Sequence, residues 1–432
     1  MSANKNCETF VNDTREQRKA VYEKSCVRYN RAMSKETENK LEQLRRKRQN
    51  RKGIIRLLAA VVLMAFTAGL WYLFKKHQGQ YFPGYRKASK KIMDILSRAF
   101  SFVPFTVWDI GLVLLILLFV ITLIVMIVKR KSFLKWFGSV LLICSFLLSI
   151  AVDAWMLNHY APPLAEEIGL PIREYTEDEL ADAFLYYYSQ AAACADLIER
   201  DADGVPVRKN FNVLAEKAGS SYARLSETYE IFEGSTQPVK KIWLFGKLLM
   251  YSGITGEFMP ITGESGVPAE EVAVNMPFTM CHEAAHRLGI ASEEEANFAA
   301  YLACEDSEDP DFRYSGYYSA FIYTYNALAK KNVKRLKKLI ETHRDGGYAL
   351  VLADSDHASE YYKQYESPLE EVETKVNDTY LKTFDEESGV QSYGEVADDL
   401  IAWRIAGNGR ETEADTDIEP RRILIQKRAE TA

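Results

Sequence analysis

Six histidines occur in 432 residues. Two of them, His282 and His286, stand one helical turn apart in PFTMCHEAAHRLG, with Glu283 beside the first. On a helix, the i, i+4 spacing turns both imidazoles toward one point, where they can hold a single ion. Glu283 is then placed to take a proton from a zinc-bound water. Zinc lowers the pKa of that water and polarises a scissile carbonyl, so a carboxylate base works near neutral pH. Pro277 suits a first helical turn and Gly289 the position just past the last, so one short helix over 277–288 should carry all three side chains.

A catalytic zinc takes a third protein ligand and keeps a fourth position open. The next stretch, Ile290-Ala291-Ser292-Glu293-Glu294-Glu295-Ala296-Asn297-Phe298, offers carboxylates. Ser292 can cap a new helix and Glu295, three residues on, would complete a capping box, which gives Glu295 a structural duty. Glu293 has no such duty and is the candidate third ligand, with Glu295 and then Glu294 as alternatives. Thermolysin-like gluzincins resemble this arrangement: they pair HExxH with a later glutamate ligand, followed four residues on by an acidic residue. That resemblance implies Glu293 as ligand and puts Asn297 where the family usually has an aspartate supporting a zinc-bound histidine. An amide can accept that N–H bond without contributing charge. The linker between the two helices is very short for a gluzincin. Gly289 falls where metzincins place a glycine, but their third histidine would then fall at Ser292.

The longer run ITGESGVPAEEVAVNMPFTMCHEAAHRLGIASEEEANFAAYLAC, with NDTYLK and SYG further on and apolar spans before it, resembles a bacterial membrane family, domain-of-unknown-function family 3810. The resemblance extends from the first span to about Gly394 and implies a gluzincin-like peptidase architecture. More peripheral candidates are Thr262-Gly263-Glu264, which could border the cleft, and Tyr393, whose phenol could stabilise an oxyanion. Tyr314, Tyr317 and Tyr318 read as packing on a helix face, and His343 and His357 as surface residues.

The elements that must position this chemistry fall into distinct parts. Residues 53–74, 108–128 and 136–157 are each long and apolar enough to cross a hydrocarbon core of about 30 Å. Before them, residues 1–52 form a basic arm read as a solvated or membrane-surface helix on the cytoplasmic side; nucleic-acid binding is disfavoured because the basic run ends directly at an apolar span. The short basic turn 129–135 falls on the same side, which leaves everything beyond Asn158 outside a cell membrane. Against this orientation stand the lysines and arginines of 75–105, a loop that should be external.

Residues 158–408 read as a zincin-like α+β domain, mostly helical with a small sheet, and 409–432 as a disordered tail. Within the domain, Thr176-Glu177-Asp178-Glu179 matches a capping box for a helix running to Arg200, and a second helix fits 212–232. Short extended runs fill 241–275, then helices follow at 293–304, 312–330, 333–343, 368–384 and 393–405. Six scattered cysteines make no framework, and no phosphate-binding glycine loop occurs. The net charge of -6 combines a basic start with an acidic last third.

The expectation is therefore a mainly α, membrane-anchored zinc metalloendopeptidase with Zn2+ on His282, His286 and Glu293 and Glu283 as base, acting on a peptide or protein. The competing class is a zinc-binding membrane sensor or scaffold without turnover. A transporter is disfavoured because the spans have almost no central ionisable residue.

Overall fold

The computed structural model describes residues 3–384 and 396–407. Tyr393 and the charged tail after Asn408 lie outside these described residues. The chain divides into two compact units: residues 1–66 with 115–146, and residues 67–114 with 147–432.

Three helices are long and apolar enough to cross a membrane. They lie within α1 (Ala3–Ala99), α2 (Val107–Val128) and α3 (Phe133–Ala154). In the first unit, α1 and α3 touch backbone to backbone. A Cβ on Gly53 would come within 2.6 Å of the Leu134 carbonyl, and one on Gly138 within 2.7 Å of the Gly53 oxygen. Glycine is required at both positions, as is common where helices pack without a hydrophobic gradient. Arg56 Nη1 donates to Ser139 Oγ at 2.5 Å beside this crossing.

In the second unit the segment 75–105 is not a loop. It is helical to Ala99, with one non-helical residue at His77, and it contributes to the core of the unit: Met93 packs with Trp155 and Ala291. Arg86 makes a two-pronged pair with Glu167 at 3.0 Å, and Lys90 Nζ donates to the Ile231 carbonyl at 2.6 Å. The compact unit therefore begins well before Asn158, and two of the basic residues that opposed the orientation bond within it.

The rest of that unit is mainly helical. After α4 (Leu164–Glu167) come α5 (Glu177–Ala195) and α6 (Phe211–Ser220). The expected capping box on α5 forms in both directions through Thr176 and Glu179. The helix expected over 212–232 stops at Ser220 and continues as two 3-10 turns. At Gly219 a Cβ would overlap the Gln237 carbonyl, so the following chain crosses there, and the Ser220-Ser221 pair does little to continue a helix.

A three-stranded sheet has the order β1-β3-β2, with β1 (Lys240–Ile242) parallel and β2 (Glu257–Met259) antiparallel to β3 (Glu264–Pro268). The outer side of β1 is covered by Phe105, which bridges Lys241. Between β1 and β2 lies α7 (Gly246–Tyr251). Next come α8 (Met276–Arg287), α9 (Glu293–Asp306) and α10 (Pro310–Thr342), the last kinked at Asn332, where the sequence suggested two helices.

α11 (Gly347–Lys363) was not anticipated; α12 (Pro368–Thr383) and α13 (Val396–Ile405) were. The buried residues of α11 are Val351, Asp354 and Ala358, a stripe broken by a carboxylate. Arg200 neutralises it with two 2.8 Å hydrogen bonds. The main core lies among α5, α8, α9 and α10, where Phe184, Tyr187, Tyr188, Phe298, Tyr301, Phe312, Tyr317 and Phe321 are fully buried.

Candidate metal centre

α8 begins with Pro277 in its first turn and ends at Leu288, followed by Gly289 at φ +86°. That left-handed residue reverses the chain so that Ile290 N returns to the Ala285 carbonyl, a helix end that glycine makes without strain. The reversal also brings the Ile290 carbonyl to 2.7 Å from His286 Nδ1. A carbonyl only accepts, so Nδ1 carries the proton and Nε2 presents its lone pair. Trp155 Nε1 donates to the His286 carbonyl at 2.8 Å, and Ser265 Oγ of β3 donates to that of Glu283 at 2.6 Å, which fixes the helix on both sides.

Glu293, the first residue of α9, faces the two histidines. His282 Nε2 lies 3.3 Å and His286 Nε2 3.7 Å from its carboxylate oxygens, and the two Nε2 atoms are 3.0 Å apart. A tetrahedral zinc with bonds of about 2.0–2.1 Å keeps its donor atoms about 3.3–3.4 Å apart. The three observed separations bracket that value, so this donor set fits a zinc-sized ion. Among the described residues no other group of three or more His, Cys, Asp or Glu side chains gathers in this way. The imidazoles are largely buried, whereas the Glu293 side chain keeps 27 % exposure, which leaves the cluster open on that side.

Burial and mutual interaction shift all four ionisable groups of the cluster. Burial disfavours protonation of His286 and, with the neighbouring His282, brings it down to about 4. Burial acts the same way on His282, but the Glu293 carboxylate and the adjacent Asn297 outweigh it and raise its pKa. Glu293 is held at about 2: burial would raise it, and the hydrogen bond from His282 with the charge of both imidazoles prevails. Glu283, fully enclosed, is pushed up to about 8 chiefly by burial, and its Oε2 has no hydrogen-bond partner.

The alternative ligand Glu295 is engaged elsewhere. Ser292 occupies the N-cap position of α9 without a side-chain cap bond, so the expected capping box does not form. Instead Glu295 Oε1 accepts from Leu164 N at 2.7 Å, at the start of α4. Thr262-Gly263-Glu264 also has a different place from the one expected. Glu264 caps α2 through Val107 N (2.9 Å) and Trp108 N (3.1 Å) and pairs with Lys240 at 2.7 Å, while Gly263 packs on the Met93 carbonyl.

Several neighbours were not legible in advance. A Cβ on Gly256 would overlap Glu283 Oε1, so the backbone entering β2 lies directly against the carboxylate. Glu257 follows it, raised to about 7 by burial and by the charge of Asp109. His159, hydrogen-bonded to Tyr380 at 2.9 Å, acts electrostatically on both Glu293 and His286. None of these carries a spacing motif, since they reach the site from the β2 segment and from the turn after α3, outside α8 and α9.

The family described as Protein of unknown function (DUF3810) matches residues 85–401, nearly three quarters of the chain. The chain belongs to that family. The match begins beyond the first apolar span, where the sequence resemblance had placed its start, and it takes in the α1 segment carrying Arg86, Lys90 and Met93. It also includes His282, Glu283, His286 and Glu293. No curated protein and no solved structure matches the chain.

Proposed function

We propose that this DUF3810 protein is a membrane-anchored zinc metallopeptidase of gluzincin-like design, resident in the cell membrane with the second unit on the extracytoplasmic side. The observation that carries the reading is the convergence of His282, His286 and Glu293 on one point with the Glu283 carboxylate beside them. These three residues would hold a zinc ion, which when bound would supply a Lewis acid and lower the pKa of a water. Beside such a positive charge the Glu283 carboxylate would be ionised and able to accept a proton at neutral pH. Glu283 then passes that proton to the leaving amine. His286 is kept in the ligating tautomer by the Ile290 carbonyl.

The substrate is read as an extended peptide. β2 is the edge strand whose outer side no described strand covers, and it leads from Gly256 against Glu283. A peptide added along β2 would pass the base with its backbone already hydrogen-bonded.

The full-length protein in a neutral detergent is the material for the test. Wild type should bind close to one zinc per chain by elemental analysis. His282→Ala and Glu293→Ala should lose it, while Glu295→Ala should keep it. Glu283→Gln should retain the metal and lower peptide hydrolysis on the order of 10³-fold. Metal-free wild type with a cooperative thermal transition would end the zinc reading. Zinc-loaded protein with no Glu283-dependent hydrolysis over a broad peptide library would favour the sensor or scaffold class.

A further inference from the structure

Arg287, the residue directly after His286, is unusual for a reason unrelated to the metal. Its side chain is 2 % exposed, yet it forms no ion pair among the described residues. Its hydrogen bonding amounts to Nη2 on the Gln237 carbonyl at 2.6 Å, and its buried Nε has no partner. A guanidinium withdrawn from water without a counter-charge is among the costliest groups to bury.

The surroundings do not neutralise it. Asp94 acts on it from a distance but is bound to Arg98 at 2.9 Å. Lys240 and Glu264 satisfy one another at 2.7 Å, and Glu264 also caps α2. Glu216 is exposed and pairs with no cation among the described residues. Arg287 lines a cavity of about 270 Å³ that shares no lining residue with the metal cluster. The Lys240–Glu264 pair and Glu216 also line it, Ser101 and Asn212 add polar groups to its wall, and Phe102, Val103 and Pro104 add apolar surface. The volume is close to the lower end for small-molecule sites. This wall runs directly into α2 at Val107, where an apolar span begins.

We propose that this cavity binds an anionic headgroup, a phosphate or carboxylate that pairs with Arg287 while its apolar part lies on Phe102, Val103 and Pro104. An arginine suits this task because its planar fork meets such oxygens two at a time. The position beside the start of a span admits either a bilayer lipid or a free anion as the source, and the two share this chemistry. The inference does not depend on zinc or on hydrolysis.

The test is thermal unfolding of the full chain in dodecyl maltoside, read by tryptophan fluorescence at matched ionic strength. One arm adds inorganic phosphate. A second adds dioctanoyl phosphatidylglycerol, with dioctanoylglycerol as its neutral control. At saturation the wild-type Tm should rise by about 5 °C, as expected for a ligand bound only by the folded state. Arg287→Met should abolish the rise. Ser101→Trp, at the exposed rim, keeps Arg287 but narrows the cavity and should abolish it too, which decides the matter if Arg287→Met does not fold. A rise with phosphate identifies a free anion, and a rise with the lipid alone identifies a headgroup. No rise in wild type, or an equal rise in wild type and Ser101→Trp, overturns the proposal.

Discussion

At the scale of single residues, the site depends on a place where a side chain is absent. Gly256 lets the backbone entering β2 lie against Glu283, and any Cβ there would overlap the carboxylate. Gly256→Ala is therefore expected to move Glu283 or the strand, without touching His282, His286 or Glu293. A displacement of about 1 Å of a reacting group costs about 10²-fold in rate. On the proposed zinc peptidase reading, peptide hydrolysis should fall by that order while zinc content stays at the wild-type level. Loss of zinc in this variant would show that Gly256 supports the fold of the cluster and not the placement of the base. Glu283 itself was legible from HEAAH alone. Gly256, His159 and Glu257 were not, because they lie far from the motif in sequence and meet it only through folding.

At the scale of elements, α8 must be held at its start as well as at its end. The connection from β3 to α8 is pinned by α11: Tyr361 donates to the Glu270 carbonyl, Tyr362 donates to Glu271 Oε1, and Asn275 Nδ2 donates to Tyr362 at 2.9 Å. Glu271 is fully buried, and burial raises its pKa to about 7, against the opposing hydrogen bond from Tyr362. Its folded pKa lies above its unfolded value, so between the two the native state binds more protons. The resulting stability is full below about 4.5 and is lost as pH rises through about 7. Glu271→Gln should flatten this part of the stability profile and exceed wild type at pH 8 by about 1–3 kcal/mol. Denaturant unfolding at pH 5 and pH 8 measures it, and an unchanged slope would assign the pH dependence to other groups. Tyr362→Phe removes one of two donors to Glu271 Oε1, the other being Val272 N, and takes the acceptor from Asn275 Nδ2, and should destabilise by about 1–3 kcal/mol. The sequence concealed α11 because its inward stripe contains Asp354, which looks like a surface residue until Arg200 is placed opposite it.

At the scale of the whole molecule, the unit that holds His282, His286 and Glu293 does not start where the apolar spans stop. Phe82 and Met93 are buried in it, Arg86 is bound to Glu167, Ser97 to Ser235 at 2.8 Å, and Thr106 N to the Lys241 carbonyl at 3.0 Å. A chain beginning at Asn158 would lack all of these and expose the apolar surface they cover. It is expected to show helical circular dichroism without a cooperative thermal transition, and to be cut rapidly by a nonspecific protease under conditions where the full chain resists. A sharp transition in the shortened chain would show that the segment 67–114 is an accessory to the unit.

Local sequence was enough for whatever depends on composition over one turn or one span. The three apolar helices, the α5 cap at Thr176, the break in α10 near Asn332 and the pairing of His282 with His286 all follow from neighbours within a few residues. Their physics is short-ranged: hydropathy over a bilayer's thickness, a hydroxyl on a free amide, two side chains one turn apart. What only the tertiary structure decided are the long-range partners. It turned Glu295 from a helix cap into a partner of Leu164, and it separated Glu293, already the sequence candidate, from the alternatives Glu294 and Glu295 by placing it beside the histidines. It also joined 75–105 to the second unit and left Arg287 buried without a counter-charge. In each case the outcome depends on which distant surface fills the space next to a charged or apolar group, and no local pattern encodes that.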